Sequence, residues 1–154
     1  MGGETSAIQR VAGKISDDIF SVFKWDRAAR ADMNWECCQE VHSKKTHPSD
    51  VVFFYTDPYE EEMVYLNTDL KSYAVGSIGK KMVEGALTSL ALATECANVS
   101  EEWRLKYVHD DSLGYNVRGL LFLYNHDNLY DKDFYENITK KLDHSVINLS
   151  LIHI

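Results

Sequence analysis

The spacing of apolar residues along the chain alternates between helical and strand-like periods. From Glu4 to Lys24 the apolar positions recur every three or four residues, which predicts a long amphipathic helix; they are Ile8, Val11, Ala12, Ile15, Ile19, Val22 and Phe23. At 100° per residue Glu4 lies on the same stripe, one turn before Ile8. Glu4 is therefore either an acid aimed along the buried face or a solvated residue at the helix start, where a negative charge suits the helix dipole.

Three segments have the composition and period of β-strands. Asp50–Thr56 is rich in strong β-formers, Met63–Lys71 alternates, and Val117–Tyr124 is a continuous apolar run typical of a strand buried on both faces. In Met63–Lys71 the even positions share one face, and the other face carries Tyr65, Asn67, Asp69 and Lys71. A loose alternation from Asn34 to His42 predicts an earlier strand, with a helix as the alternative, and residues 25–33 read as a connection.

The remaining elements follow from caps, turns and further helical periods. A second long helix is predicted after Gly76, on the apolar line Ile78, Met82, Ala86, Leu90, Ala93 and Ala97. Ser100 is typical of an N-cap for a short helix that carries Trp103. A last amphipathic helix is predicted over Asp131–Leu142. Residues 43–48 predict a basic turn, either a solvated loop or a phosphate contact.

Two acids and a lysine are brought together by the predicted hairpin. Asp50 opens the first strand, and Asp69 and Lys71 close the second on one face. Because paired hairpin strands place the start of one beside the end of the other, we expect these three side chains to converge. Carboxylates are hard oxygen ligands, so the convergence suits Mg²⁺ or Mn²⁺ beside a phosphodiester.

Length and composition restrict the class of protein. A chain of 154 residues forms one domain, and no apolar run approaches the roughly 20 residues that span a bilayer. With no secretory signal visible at the N-terminus, we expect a cytoplasmic protein. The net charge of -8 argues against a simple nucleic-acid coat protein but is compatible with a metal-dependent nuclease.

The cysteines and histidines predict no metal site of their own. Cys37, Cys38 and Cys96 show neither a zinc-binding spacing nor a disulfide framework. Neighbouring Cys37 and Cys38 would point to opposite faces of a strand, so we expect at most one of them to face Cys96. The six histidines show no H-x-x-x-H or similar cluster.

The order helix-strand-strand-strand-helix-strand, with acids and a lysine at these places, resembles the PD-(D/E)xK nuclease superfamily. The resemblance covers roughly Glu4 to Tyr124 and implies a restriction-endonuclease-like α/β core, a mixed sheet flanked by helices. By this resemblance Asp50 matches the first acid of the motif, Asp69 the second acid and Lys71 the lysine. Glu4 matches the acid that the first helix often contributes.

The resemblance also implies an activity, a cofactor and partners. Asp50, Asp69 and Lys71 would be catalytic, and Glu4, Asp50 and Asp69 would hold Mg²⁺ or Mn²⁺. The expected reaction is hydrolysis of DNA phosphodiester bonds in a bacterial restriction or phage-defence system, with a protein partner or a second copy of the chain, and no membrane. The superfamily motif places proline directly before the first aspartate, whereas Ser49 intervenes in this sequence.

The sequence is also compatible with two other functions. One is a catalytically inactive restriction-endonuclease-like module that binds nucleic acid or a protein partner, although intact residues at all motif positions argue against it. The other is an unrelated α/β binding protein in which Asp50, Asp69 and Lys71 form a structural ion-pair network.

The last six residues of the chain differ from the rest in origin if they are not native. Residues 149–154 (LSLIHI) resemble a translation of the transposon-end adapter used in preparing sequencing libraries. We therefore expect a single nuclease-like domain over residues 1–148, truncated near Asn148, followed by a non-native tail; an ordinary apolar C-terminal strand is the alternative.

Overall fold

The computed structural model describes residues 2–110 and 113–143, with the side chains of residues 6–110 and 113–143. The helices in this part are α1 (Gly2–Val22), α2 (Lys80–Ala97), α3 (Glu101–Tyr107) and α4 (Phe134–Asn137). The strands are β1 (Asp26–Arg27), β2 (Met33–Glu36), β3 (Thr46–Ser49), β4 (Val51–Thr56), β5 (Met63–Tyr73) and β6 (Tyr115–Asn125). Short 3-10 helices occur at Glu40–His42, Val75–Ser77 and Thr139–Lys141.

The main sheet is mixed and has helices on both faces, which confirms the predicted fold class. Its strand order is β1-β4-β5-β6, with β4 antiparallel to both neighbours and β5 parallel to β6. On one face Phe20 of α1 packs in a cluster with Val51, Phe53, Val64 and Leu66. On the other face α2 and α3 cover Val52, Tyr65 and Val117 through Ala93, Cys96, Ala97, Trp103 and Tyr107. Among the described residues, no helix is long and apolar enough to cross a bilayer.

The first strand of the main sheet is not where the sequence pattern predicted it. The predicted strand Asn34–His42 is wrong in extent, because β2 ends at Glu36 and the segment finishes in a 3-10 helix. Instead of joining the main sheet, β2 pairs with β3 in a separate two-stranded sheet. The main sheet takes its edge strand, β1, from residues 25–33, which the sequence pattern predicts to be a connection.

The basic turn predicted at residues 43–48 is also wrong in part, because β3 begins within it at Thr46. Trp35 of β2 lies opposite His47 of β3, and the two rings are 5.0 Å apart. Both residues are only 1% exposed. Burial of this pair draws the segment into a strand.

Three predicted faces or bounds differ from the structure. The buried line of α1 is Ala12, Ser16 and Phe20, whereas the predicted core residues Val11, Ile19, Val22 and Phe23 are exposed because α1 touches the sheet along one narrow line. Except at Val117, β6 is half-buried rather than buried on both faces, because among the described strands it pairs only with β5. The predicted last helix is interrupted at Ile138, whose φ of -124° and ψ of -66° are not helical.

Close contacts with β6 fix the position of α2. A Cβ atom on Gly119 would lie 2.7 Å from Thr94 Oγ1 and 3.0 Å from Leu90 Cγ, so only glycine lets α2 approach this closely. At the end of α2 the Asn98 side chain accepts from Val117 N at 2.8 Å and donates to Val117 O at 2.9 Å. The helix is therefore held against β6, next to β5.

Candidate active site

Asp50 lies at the bend where the chain leaves the small sheet and enters the main one. The preceding residue, Ser49, is buried, and its Oγ accepts from Trp35 Nε1 at 3.1 Å and donates to Asn67 Oδ1 at 2.5 Å. The backbone carbonyl of Asp50 accepts from Asp32 N at 2.9 Å. The residue that departs from the superfamily pattern thus anchors the bend that carries Asp50.

The β4–β5 pairing brings Asp50 beside Asp69. Val51 lies opposite Thr68, so Asp50 and Asp69 are the next positions outward on the two strands. Their carboxyl groups are within hydrogen-bonding reach of each other. Lys71 Nζ lies 2.8 Å from Asp69 Oδ1. The structure therefore brings together Asp50, Asp69 and Lys71, as the predicted hairpin requires.

The electrostatics of this cluster are those of a crowded acid pair. Burial raises the pKa of Asp50 to about 6, with a contribution from the charge and hydrogen bond of Asp69, while the Leu70 N–H and Lys71 act in the opposite direction. The Leu70 N–H donates to Asp50 Oδ2 at 2.8 Å. Partial burial alone would lower the pKa of Lys71, but the hydrogen bond to Asp69 and the charges of Asp69, Asp50 and Tyr73 outweigh it and raise that pKa. The single ammonium does not fully compensate two neighbouring carboxylates.

The donor set fits a hard divalent cation. Asp50 and Asp69 present carboxylate oxygens from one side of the sheet, and carboxylates are the protein ligands that Mg²⁺ and Mn²⁺ prefer. Burial, which is the largest cause of the raised pKa of Asp50, and the neighbouring charge of Asp69 both disfavour its carboxylate form. A cation between the two acids would supply the missing positive charge.

Two openings border the acid pair, and the one on the α1 side is much the larger. A narrow crevice on the α2 side is lined by Pro48, Asp50, Asp69, Ser89, Leu90 and Ala93. A cleft of about 460 Å³ on the α1 side reaches Asp50, and its charged lining residues are three bases, Arg10, Lys14 and Arg27, and two further acids, Asp17 and Asp32. Asp50 is therefore accessible from a surface of mixed charge.

Two of these basic side chains have defined partners. Arg27 donates to Asp17 at 2.5 Å within the cleft. Lys44, from the segment predicted to be a solvated loop or a phosphate contact, donates to Ser89 Oγ at 3.2 Å. Because Ser89 lines the crevice, Lys44 lies at its rim. Sequence reasoning did not select Ser89, since its place depends on how α2 docks.

Two sequence predictions lie outside the described residues. Glu4 belongs to α1, but its side chain is not described, so its role as a metal ligand stays a prediction. Residues 149–154, expected to be a non-native tail, are also outside the described part of the chain.

A second cluster, away from the acid pair, contradicts the expectation for cysteine and histidine. The ligand atoms of Cys37, His42, His47 and Cys96 all lie within 4.8 Å of one another. The expectation that at most one of the neighbouring cysteines faces Cys96 is wrong, because Cys37 and Cys38 have Sγ atoms 4.0 Å and 2.9 Å from Cys96 Sγ. Both residues follow β2, so strand alternation does not apply to them. The sequence signal was the regular spacing C-x4-H-x4-H.

Comparison with known proteins identifies the family of the chain. A family model described as the GAPS4 protein PD-(D/E)XK nuclease domain matches residues 1–154. No curated protein and no solved structure matches the chain. The family match spans the whole chain and agrees with the resemblance carried by the acids and lysine of the hairpin.

Proposed function

Because the chain belongs to the PD-(D/E)XK nuclease domain family of GAPS4 proteins, we propose that it hydrolyses DNA phosphodiester bonds with a divalent cation held by Asp50 and Asp69. The observation that carries the proposal is the acid pair at the ends of β4 and β5, with the Lys71 ammonium 2.8 Å from Asp69 Oδ1. PD-(D/E)XK nucleases generally use divalent metal ions. We propose Mg²⁺ or Mn²⁺ on the chemistry of the oxygen donors.

Asp50 and Asp69 are proposed as the ligands that the described residues supply, with Glu4 as a third. The proposal for Glu4 rests on the sequence alone, in which residue 4 lies one turn before Ile8 on the predicted apolar stripe. When bound, the cation would activate a water and neutralise charge on the phosphate. The Leu70 N–H, which donates to Asp50 Oδ2 at 2.8 Å, fixes the orientation of that carboxylate.

Lys71 is proposed to act on the reacting phosphate. Its raised pKa keeps the ammonium protonated at neutral pH. The hydrogen bond to Asp69 restrains the side chain beside the acids, and its other N–H groups remain available as donors. From there the ammonium can orient the attacking water or stabilise negative charge that develops on the phosphate oxygens.

The surroundings support binding of a phosphate backbone. Arg10, Lys14 and Arg27 share the cleft that reaches Asp50 with Asp17 and Asp32, and Arg27 is paired with Asp17. Arg10 and Lys14 in the cleft, and Lys44 at the rim of the crevice, would contact phosphates near the scissile bond. Since the net charge is -8, we propose that a protein partner or a second copy of the chain supplies part of the affinity for DNA. Tight, salt-sensitive DNA binding by the isolated chain without metal would contradict this.

The biological setting is proposed from the family. A nuclease domain of the GAPS4 family is suited to a bacterial defence system that cleaves invading DNA in the cytoplasm. Infection of cells carrying the intact system or its Asp69→Asn variant tests this setting. Protection against phage by both versions alike would contradict a role for this site in defence.

A cleavage panel tests the proposed activity. Supercoiled plasmid, linear duplex, single-stranded DNA and RNA are incubated with the chain in Mg²⁺, Mn²⁺ or chelator. Cleavage of DNA is expected only with a cation, and it should be lost in Asp50→Asn and Lys71→Met. Glu60→Gln and Lys81→Met remove one exposed charge each outside the crevice and serve as matched controls that keep the activity.

A calorimetric titration with Mn²⁺ distinguishes the metal-dependent nuclease from a catalytically inactive module of the same fold. Mn²⁺ binding that is lost in Asp50→Asn but kept in Glu60→Gln supports the metal site, even if none of the nucleic acids in the cleavage panel is a substrate. Absence of both cleavage and Mn²⁺ binding would support the catalytically inactive module instead.

A further inference from the structure

Four side chains that the acid pair does not use meet beneath the loop between β2 and β3. Cys37 follows β2, His42 ends the 3-10 helix, His47 lies in β3, and Cys96 lies in α2. Their ligand atoms are all within 4.8 Å of one another. Cys96 and His47 are 0% and 1% exposed, and the His42 side chain is 2% exposed. Two sulfurs and two imidazoles are thus gathered in the interior.

We propose that Cys37, His42, His47 and Cys96 bind one Zn²⁺ as a structural site. Tetrahedral zinc with Zn–S of about 2.3 Å and Zn–N of about 2.0–2.1 Å requires ligand atoms about 3.3–3.8 Å apart. Cys37 Sγ lies 3.5 Å from His42 Nδ1 and 4.0 Å from Cys96 Sγ. These two separations are close to those of a zinc tetrahedron, and none of the six exceeds 4.8 Å, so side-chain movements alone could complete the site.

The hydrogen bonding of the two histidines supports a bound cation. Nε2 of His47 is buried and has no hydrogen-bond partner among the described residues. Burying such a polar atom without a partner costs free energy that a metal ligand bond would recover. Nε2 of His42 lies 3.4 Å from Glu95 Oε2, an arrangement that assigns the proton to Nε2 and leaves the Nδ1 lone pair facing Cys37. Metal-binding histidines are typically oriented by a carboxylate in this way.

The sulfur ligands are supported in the same manner. Cys38 N donates to Cys96 Sγ at 3.1 Å, and an N–H donor stabilises a metal-bound thiolate. Two thiolates and Zn²⁺ together are neutral, which suits a buried site. A donor set of two sulfurs and two imidazole nitrogens selects zinc over Mg²⁺, which prefers oxygen.

The position of the cluster indicates its role. It would fasten the loop between β2 and β3 to α2. The loop continues through β3 to Asp50, while α2 carries Ser89, Leu90 and Ala93 of the crevice. Zinc would thus tie together the two elements that form the walls of the crevice, and four protein ligands would leave no open position for catalysis.

The competing chemistry is a disulfide. Cys38 Sγ lies 2.9 Å from Cys96 Sγ, so oxidation of these two thiols would remove Cys96 from the ligand set. Replacing Cys38 separates the two possibilities, because Cys38 is exposed and is not one of the four ligands. The Cys38→Ser chain should keep zinc, whereas it could not form this disulfide.

The test is the metal content of the full chain after expression with zinc and gel filtration. One equivalent of zinc is expected in the wild type and in Cys38→Ser, and a large loss is expected in Cys37→Ser and His47→Asn. Thiol titration of the wild type should detect one fast-reacting cysteine, and three after denaturation with chelator. Any of three results would overturn the site. The wild type contains no zinc, mass spectrometry detects a Cys38–Cys96 disulfide in the wild type, or Cys37→Ser and His47→Asn both keep a full equivalent of zinc.

A ligand variant could lose zinc only because it unfolds, and substitution with Co²⁺ provides a test that does not depend on loss of the metal. The wild type loaded with Co²⁺ should show the visible bands of tetrahedral cobalt and a thiolate charge-transfer band. His47→Cys keeps four ligands but adds a third sulfur, so it should bind Co²⁺ with a shifted and stronger charge-transfer band. An unchanged spectrum in His47→Cys would show that His47 is not a ligand. None of these readouts depends on nuclease activity.

Discussion

In buffer without added divalent cations, Asp50→Asn is expected to make the folded protein more stable at neutral pH. The asparagine side chain keeps the shape of the aspartate, and its Oδ1 can accept the Leu70 N–H that now binds Asp50 Oδ2 at 2.8 Å. It removes a partly buried negative charge beside Asp69. A residue suited to holding a cation is therefore expected to reduce stability when the cation is absent.

The magnitude follows from the pKa of Asp50. The folded state raises this pKa from 3.8 to about 6, chiefly through burial and the neighbouring Asp69. At about 1.4 kcal/mol per pKa unit, the shift corresponds to roughly 3 kcal/mol. Because Asp50 is only half-buried, solvent screening reduces this to about 1–2 kcal/mol. Asp50→Asn should gain that amount in free energy of unfolding.

The sign of the effect defines a pH window. Between pH 3.8 and about 6 the folded protein holds a proton on Asp50 that the unfolded chain has released. Wild-type stability contributed by this group therefore falls as the pH rises through the window, and the penalty is complete above about pH 6. The two proteins should differ little below the window, where the carboxyl is protonated in both states, and most above it.

Urea unfolding at a series of pH values measures the difference. Asp50→Asn should exceed the wild type above pH 7, and added Mg²⁺ or Mn²⁺ should narrow or reverse the gap by binding the wild type. Equal or lower stability of Asp50→Asn at pH 8 without added cation would refute the account of the acid pair.

Three further predictions concern the scaffold of the site and are measured by urea unfolding. Gly119→Ala should lower the free energy of unfolding by about 1–3 kcal/mol, because the new Cβ atom on β6 would collide with α2. Gly85→Ala, within α2, should raise it by about 0.5–1 kcal/mol, because a Cβ atom there meets nothing within 4 Å. Ser100→Ala removes the side chain that accepts from Trp103 N and should cost about 1 kcal/mol, so no change would contradict the cap. Ser49→Ala should cost about 1–3 kcal/mol by leaving Asn67 Oδ1 and Trp35 Nε1 without a partner, and cleavage should fall with it.

Elements with a local signal could be predicted closely from the sequence. The predicted helix Glu4–Lys24 and strand Asp50–Thr56 are observed as Gly2–Val22 and Val51–Thr56. The approach of Asp50 to Asp69 could also be predicted, because the hairpin register follows from two adjacent strands and one turn. Local period and a short connection carry enough information for these features.

Features that depend on distant parts of the chain could not be predicted in this way. β1 has two residues and no pattern of its own, and it is defined only by pairing with β4. The small sheet depends on burial of Trp35 against His47. The spacing C-x4-H-x4-H could indicate Cys37, His42 and His47, but Cys96 joins them only after α2 docks on the sheet through Gly119, so the full cluster could not be predicted.

The central claim is that Asp69, between Asp50 and Lys71, is part of a site that hydrolyses DNA. The most direct test is the single-turnover rate constant for DNA cleavage in Mg²⁺ by wild type and Asp69→Asn, each shown to be folded by circular dichroism. Since Asp69 is proposed both to hold the cation and to position the Lys71 ammonium, the rate should fall by about 100-fold or more. An Asp69→Asn rate within about threefold of the wild type would contradict the assignment, because removal of a catalytic ligand costs far more than that.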